Sequence, residues 1–250
     1  TGVIGPRLPM EQLLAGVDAA AATLEPDGGD AAAEAILTTD NGPKTAVVRG
    51  DGFTVGGMAK GAGMIHPSLA AMLAIVTTDY PLASGGDADA FLRPAVESSF
   101  NRISVDGDCS TNDAVVLLAR RGVAERDSAL DDEFASALED VCSTLARQIV
   151  ADGEGATVVL EISVSSASSQ EEAHAIARRV ATSPLVKTAA FGHDPNWGRV
   201  LAAAGSAPWN GGFARLDLDR LSVSFDGTAV FATGAPTGLV PELGGAACRI

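Results

Sequence analysis

The sequence predicts a mixed fold of the α/β or α+β class, built from 250 residues. The first indication is a set of helical stripes, the clearest over residues 130–152, where apolar residues recur at spacings of three and four. The second is a set of short apolar or alternating segments typical of strands. The third is that hairpin turns occur beside strand–helix alternation, which argues against both a helical bundle and a purely parallel sheet.

Helices are predicted where an apolar stripe begins at a capping signal or ends at a helix breaker. Asp30 and Asn196 are suitable N-caps, and Ser169 with Glu172 forms a capping box. Pro94 should kink the third helix or mark its true start. Gly153 is a natural C-cap for the long fourth helix. The predicted helices cover residues 9–24, 30–37, 87–102, 130–152, 169–180 and 196–204.

Strands are predicted from β-prone segments bounded by turn residues. Asp51-Gly52 and Asp226-Gly227 each separate two such segments, which predicts two hairpins. The apolar segment 70–76 has the length of a buried strand, although a short buried helix has the same pattern. The predicted strands cover residues 45–48, 53–55, 70–76, 103–105, 114–118, 158–164, 185–191, 221–225 and 228–232.

Composition excludes some classes of partner. The net charge of −15 argues against a surface that binds nucleic acid or an anionic membrane, since both need a basic patch. No apolar run is long enough to span a bilayer. Cys109, Cys142 and Cys248 are odd in number and lack metal-ligand spacing, which predicts reduced thiols in a cytoplasmic protein and no metal site.

The segment Lys60 to Asp79 joins a glycine-bearing loop to a predicted buried strand. It begins with Lys60-Gly61-Ala62-Gly63, where glycines allow the backbone to approach another group closely. It then enters the predicted buried strand. A lysine at the mouth of a buried strand either balances a charge or takes part in chemistry, and the local pattern leaves both open.

Two other polar stretches are candidates for a site. Residues 106–113 are almost all polar or glycine, but their spacing is not that of an EF-hand, and a loop held by Asx and ST turns is favoured. Residues 192–199 form a dense polar turn in which Arg199 could bind a carboxylate or pair with Asp194. His174 lies off its helix's apolar stripe, which predicts a surface histidine.

Several motifs, in one order along the chain, resemble the ornithine acetyltransferase family, also called glutamate N-acetyltransferase or ArgJ. The segment Lys60-Gly61-Ala62-Gly63-Met64, followed by Pro67 and Met72-Leu73, is similar to the family's self-processing site. The other matching motifs are Thr1-Gly2-Val3-Ile4-Gly5, Thr38-Thr39-Asp40, Ser110-Thr111-Asn112-Asp113, Asp152-Gly153-Glu154-Gly155 and Asp194-Pro195-Asn196-Trp197-Gly198-Arg199. They span nearly the whole chain.

The resemblance implies a fold, a reaction and roles for individual residues. The fold would be the ornithine acetyltransferase/DmpA-type layered sandwich, with central sheets covered by helices. The reaction would transfer acetyl from N-acetylornithine to glutamate by a ping-pong acyl-enzyme route in arginine biosynthesis. Thr1 and Gly2 would form the oxyanion hole, while Thr38, Lys60 and Glu154 would bind substrate. The residues expected around them are Asn112, Asp113, Asp194, Asn196 and Arg199.

One departure concerns the nucleophile. Family members cleave themselves between an alanine and a threonine, and that threonine becomes the nucleophile, but here the two positions are Ala70 and Ala71. Ala71 has no hydroxyl, so we expect an uncleaved, inactive form, most simply a threonine-to-alanine substitution that traps the precursor. Two alternatives stay open, a non-catalytic paralogue with a binding or regulatory role and a related self-processing amidase or aminopeptidase.

The resemblance also implies how the chain is organised. Residues 1–70 would be the C-terminal part of the family's α-chain region, with a preceding portion missing, and residues 71–250 would be the β-chain region. The family's terminal Asn and Thr, which touch substrate, have no match here, so the C-terminal end is expected to be truncated or remodelled. The implied partners are N-acetylornithine, ornithine and glutamate, in a homo-oligomer of paired protomers. No cofactor is expected, although some members also accept acetyl-CoA.

Overall fold

The computed structural model describes residues 5–66, 72–82, 84–119 and 127–250. The predicted oxyanion residues Thr1 and Gly2 and the predicted cleavage site Ala70-Ala71 lie outside these ranges. The chain divides into two compact units, one ending at Glu154 and one beginning at Gly155. The predicted boundary between residues 70 and 71 falls inside the first unit and stays a prediction.

The first unit is built on a four-stranded sheet. Its elements are helix α1 (Met10–Ala22), helix α2 (Gly29–Ala35), strand β1 (Lys44–Arg49), strand β2 (Thr54–Lys60), strand β3 (Leu73–Thr78), helix α3 (Gly85–Ser98), strand β4 (Ala114–Ala119) and helix α4 (Asp131–Ala151). The strand order is β1-β2-β3-β4; the first two pairings are antiparallel and the last is parallel.

Helix α4 packs on the sheet at a point where the strand carries glycine. A Cβ on Gly57 of β2 would lie 3.0 Å from Leu145 and 3.1 Å from Val141 of α4, so the close approach depends on the missing side chain. Ring contacts extend this core, since Phe134 of α4 stacks on Tyr80 with ring centroids 4.3 Å apart. Phe53 meets both of those rings edge-on. These rings lie beside the start of β2 and the end of β3, whereas the candidate site lies at the opposite ends of the two strands, where Lys60 pairs with Leu73.

The second unit combines three helices with short strands. Its elements are strand β5 (Val159–Glu161), helix α5 (Gln170–Ala181), helix α6 (Pro184–Phe191), helix α7 (Trp197–Gly205), strand β6 (Pro208–Trp209), strand β7 (Gly212–Phe213), strand β8 (Ser222–Phe225), strand β9 (Thr228–Ala232), strand β10 (Ala235–Pro236) and strand β11 (Ala247–Arg249). Strand β5 pairs in parallel with β11. Strands β8, β9 and β10 form an antiparallel sheet, and β6 pairs with β7.

Most predicted elements of the first unit are confirmed, with shifted ends. The hairpin around Asp51-Gly52 forms, and Gly52 has the positive φ that the turn requires. The apolar stripe predicted for α1 does not pack into a core, since no residue of that helix is buried. Asp30 lies in the first turn of α2 rather than at its N-cap, which is Gly28. Helix α4 ends at the C-cap Asp152, so Gly153 follows the cap.

Two strand predictions are wrong. Residues 185–191 form α6, because Ser183 caps the helix through the Val186 N–H and Pro184 occupies the first turn, a start signal that the apolar run concealed. Residues 103–105 are irregular, and the Val105 N–H donates to the Ile65 carbonyl at 2.8 Å instead of pairing with a strand. Pro94 lies inside α3, whose N-cap is Ser84, so Pro94 does not mark the helix start.

In the second unit the predicted helix caps are confirmed, but one predicted strand is shorter than expected. Ser169 accepts from the Glu172 N–H as the capping box requires, and Asn196 caps α7 through the Arg199 N–H. The strand predicted over residues 158–164 shortens to β5, since only three of its residues pair with β11. His174 is half-buried rather than on the open surface. No helix within the described ranges is long and apolar enough to cross a membrane.

Candidate active site

Three parts of the chain come together in the first unit: residues 60–63, here called the glycine loop, the threonine pair Thr38 and Thr39, and Glu154. The Glu154 backbone N–H donates to the Ala62 carbonyl at 2.8 Å, which places residues 61–63 against the end of α4. The Thr39 hydroxyl donates to Glu154 Oε1 at 2.6 Å. A Cβ on Gly63 would lie 2.9 Å from the Glu154 carboxyl carbon. The Glu154 side chain therefore lies directly over a backbone that carries no side chain.

Lys60 lies at the other end of the same loop. It is the last residue of β2, pairs with Leu73 of β3, and is only 5% exposed. Among the described residues the Lys60 ammonium makes no hydrogen bond or ion pair, and its charge only partly offsets the rise in the pKa of the nearby Asp113 carboxyl. A buried ammonium without a carboxylate in direct contact is costly, so this position suits the binding of an anionic group.

Asp113 contacts Met72, the residue that follows position 71. Its Oδ1 accepts from the Met72 N–H at 2.8 Å, and the Ala114 N–H donates to the Met72 carbonyl at 3.1 Å. Asp113 Oδ2 is buried without a hydrogen-bond partner. Burial raises the pKa of the Asp113 carboxyl, and the Met72 N–H and the Lys60 charge offset this only in part. This carboxylate holds the backbone at the start of β3.

The Asp106 loop also holds the chain just past the glycine loop. Asp106 Oδ2 accepts from the Met64 N–H at 2.7 Å, and Oδ1 accepts from the Ile65 N–H at 3.1 Å. Met64 has a positive φ of 53°, a strained conformation for a residue with a side chain. Within the loop, Asp108 N donates to Asp106 Oδ1 at 3.0 Å, an Asx turn as predicted.

A buried ion-pair network lies behind the Thr39–Glu154 contact. Lys44 Nζ lies 2.6 Å from Asp40 Oδ1 and 2.6 Å from Asp152 Oδ2. Asp40 also accepts from the Gly61 N–H at 2.6 Å, and Asn41 donates to Asp152 through its backbone and side chain. The network connects the residues before β1, the glycine loop and the end of α4.

The structure brings together some of the predicted site residues. Thr38, Lys60, Asp113 and Glu154 all belong to the first unit, where the Thr38 N–H donates to Asp40 and the neighbouring Thr39 contacts Glu154. Asn112 accepts from the Thr111 hydroxyl at 3.0 Å and so helps to hold its own loop. The contributions of Thr39, Asp40, Lys44 and Asp152 were not predicted, although Thr39, Asp40 and Asp152 belong to recognised motifs. Lys44 carried no signal, since it begins an ordinary strand.

The remaining predicted residues lie in the second unit and maintain its local structure. Arg199 Nη1 donates to the Leu185 carbonyl at 2.9 Å and to the Thr188 hydroxyl at 3.1 Å, which ties α7 to α6. Asp194 accepts from the Asn196 side chain at 2.9 Å rather than pairing with Arg199. The turn joins two helices, not a strand and a helix as predicted.

Each unit contains a cavity among its described residues. The first has a volume of about 290 Å³ and lies between α3 and the start of β4, where Met72, Asp113 and Phe100 contribute to its wall. The second has a volume of about 1340 Å³ and is lined by residues of the second unit, none of them a predicted site residue. No group of three His, Cys, Asp or Glu side chains suited to a metal ion occurs among the described residues.

Comparison with known proteins gives a consistent assignment. The family model described as "ArgJ family" matches residues 1–244. The arginine biosynthesis bifunctional protein ArgJ of Mycolicibacterium paratuberculosis is 49% identical over 245 residues, covering 95% of this chain and 57% of that protein. The protein of the same name from Thermobifida fusca is 48% identical over 235 residues, covering 94% of this chain and 59% of that protein. The chain thus spans less than three fifths of the length of either relative.

A solved structure agrees with the sequence relatives. The crystal structure of the arginine biosynthesis bifunctional protein ArgJ from Bacillus halodurans is 33% identical, with a TM-score of 0.58. The match covers 66% of this chain and 76% of that one. The mixed α/β fold is therefore shared with a solved member of the family. Because the family match includes Lys60, the glycine loop and Glu154 and continues through the second unit to residue 244, the chain belongs to the ArgJ family.

Proposed function

We propose that this chain is part of an acetyltransferase that moves acetyl from N-acetylornithine to glutamate, and that Ala71 leaves it uncleaved and inactive. The observation that carries the proposal is the pair of opposite charges at the two ends of the glycine loop. Lys60 is a buried cation with no ion-pair partner among the described residues, and Glu154 is an exposed carboxylate over Gly63. N-acetylornithine carries one carboxylate and one free amine, which match these charges.

The proposed reaction needs a nucleophile at position 71. With threonine there, cleavage after Ala70 would release an α-amine that can serve as the base for the adjacent hydroxyl. That hydroxyl would take the acetyl group from N-acetylornithine and release ornithine, and glutamate would then accept it. Thr1 and Gly2 would donate to the oxyanion, a contribution of about 2.7–4 kcal/mol per donor in such sites.

Residues of the first unit have assigned roles in this proposal. Lys60 binds the substrate carboxylate and Glu154 binds the free amine, while Thr39 holds the Glu154 carboxylate in place through its 2.6 Å bond. Thr38 would contact the substrate, the role that the resemblance gives it. The glycine loop lets the substrate lie against the backbone, since a side chain at position 63 would meet Glu154. Glutamate, the acceptor, also carries the carboxylate that Lys60 would bind.

The test restores threonine at position 71 in the complete gene product. We expect a denaturing gel to show two fragments separated after Ala70, and an assay to show acetyl transfer from N-acetylornithine to glutamate. One intact band without transfer would contradict the proposal and favour the non-catalytic paralogue. Cleavage followed by acetyl release to water, with no dependence on glutamate, would favour the related hydrolase.

A further inference from the structure

Lys44 is a buried cation held by two carboxylates. Its side chain is 3% exposed, and the Asp40 side chain is 0% exposed. The side chain of Asp152, the second partner, is 19% exposed, so solvent reaches the network on that side. Both ion-pair distances are 2.6 Å, which is the geometry of charge-assisted hydrogen bonds.

Each carboxylate binds a second segment besides Lys44. Asp40 Oδ1 accepts from the Gly61 N–H at 2.6 Å, at the start of the glycine loop. Asp152 accepts from the Asn41 backbone at 3.0 Å and from the Asn41 amide at 2.7 Å. Lys44 therefore balances the charge that holds three segments together, residues 38–41, residues 60–63 and residues 152–154.

Lys44 is needed because the two carboxylates are close together and largely buried. Burial would raise the pKa of Asp40, but the Gly61 N–H and the Lys44 ammonium outweigh it and hold that pKa below its usual value. Burial would likewise raise the pKa of Asp152, and the bonds from Lys44 and Asn41 lower it instead. Without the ammonium the two charges would repel each other, and the three segments would separate.

We propose that Lys44 is a positioning residue that sets the affinity of the site for the amine-bearing substrate without touching it. Glu154 lies two residues after Asp152, and its contacts with Thr39 and Ala62 both cross between the segments that Lys44 joins. A shift of these segments moves the Glu154 carboxylate away from the substrate amine. The inference rests on the proposed function, because it assigns amine binding to Glu154.

The test measures ornithine binding by calorimetry on the complete gene product with Ala71 in place, so that no catalytic step is needed. We expect Lys44→Met to weaken ornithine binding about tenfold or more, the effect of losing a hydrogen bond to a charged group. Arg93→Met is the matched control, because it removes a cation from an exposed ion pair with Asp89 in the same unit. It should leave the affinity unchanged.

The outcomes separate the two proposals. A parent protein that does not bind ornithine contradicts the proposed function. A parent that binds ornithine, with a folded Lys44→Met variant of equal affinity, overturns the role of Lys44. Thermal unfolding followed in parallel fixes a temperature at which each variant is folded.

A second variant distinguishes positioning from general stability. In Lys44→Met combined with Asp40→Asn, the Asn oxygen can still accept from the Gly61 N–H, and the buried negative charge at position 40 is removed. We expect this pair to recover affinity to within about threefold of the parent, because one unpaired charge has been removed. Unrecovered affinity in a folded double variant would contradict the proposal.

If Lys44→Met does not fold, a milder change continues the test. Asn41→Ala removes one bond to Asp152 and keeps Lys44 and both carboxylates. We expect ornithine binding to weaken about threefold, the effect of one modest hydrogen bond. Unchanged affinity in that variant would overturn the proposal.

Discussion

Thr39 and Glu154 are 115 positions apart in the chain, and the hydroxyl of one donates to the carboxylate of the other at 2.6 Å. This bond brings together the threonine pair before β1 and the residues after α4. The Ala62 carbonyl accepts from the Glu154 N–H and so adds the glycine loop to the same place. The site that we assign to the substrate amine is thus formed by three segments that are distant in the sequence.

Glu154→Gln should weaken ornithine binding with little change in stability. Glutamine keeps an oxygen for the Thr39 hydroxyl but loses the charge that pairs with an amine. A hydrogen bond to a charged group contributes about 1.5–3 kcal/mol, which corresponds to a loss of affinity of tenfold or more. Calorimetry with ornithine, together with urea unfolding, would check this. Equal affinity would show that Glu154 does not bind the amine.

Gly63→Ala should weaken ornithine binding without unfolding the protein. The new Cβ would lie 2.9 Å from the Glu154 carboxyl carbon, and that exposed side chain can move aside at little cost. We expect an affinity loss of about tenfold, because the displaced carboxylate would lose its charge-assisted bond to the amine. Gly85→Ala is the control, because a Cβ at the start of α3 would meet nothing within 4 Å. Similar effects of the two changes would argue against a specific role for Gly63.

Phe134→Ala should be strongly destabilising. The side chain is fully buried and contacts the rings of Phe53, Tyr80 and Phe91. Replacing a buried phenylalanine with alanine costs about 3–5 kcal/mol of the free energy of unfolding. Urea unfolding at neutral pH would measure it. A loss below about 1 kcal/mol would show that this cluster is not part of the cooperative core.

Stability should fall on acidification partly through the Lys44 network. The folded-state pKa values of Asp40 and Asp152 are lowered, so their contribution is complete above the unfolded value of about 3.9 and is lost as the pH falls through the folded values. The free energy of unfolding, measured from pH 6 to acid, should therefore depend less on pH in Asp40→Asn than in the parent. Parallel curves would contradict this assignment.

The elements with complete local signals were predictable from the sequence. The hairpin at Asp226-Gly227 formed as expected, because both residues adopt the positive φ of its turn. Asn210-Gly211 carries the same signal between β6 and β7, and both residues have a positive φ. The segment 185–191 was predicted as a strand because its apolar run hid the capping by Ser183.

Only the site residues that belong to recognisable motifs could be predicted from the sequence. Lys60 and Glu154 stand out through the resemblance, and the structure describes both near one loop. Lys44 could not be found, because nothing in an alternating strand shows which residue will meet two distant carboxylates. Thr39, not Thr38, bonds to Glu154. That choice depends on the tertiary structure, since neighbouring threonines are equivalent in the local sequence pattern.

The most direct test of the central claim is the mass of the fragment that begins at position 71. Ala71→Thr in the complete gene product should yield a separate fragment starting at residue 71, and N-acetylornithine should raise its mass by one acetyl group. Added glutamate should then return the mass to its original value and produce N-acetylglutamate. A chain that stays intact, or a fragment that never gains the acetyl group, would contradict the proposed acetyltransferase.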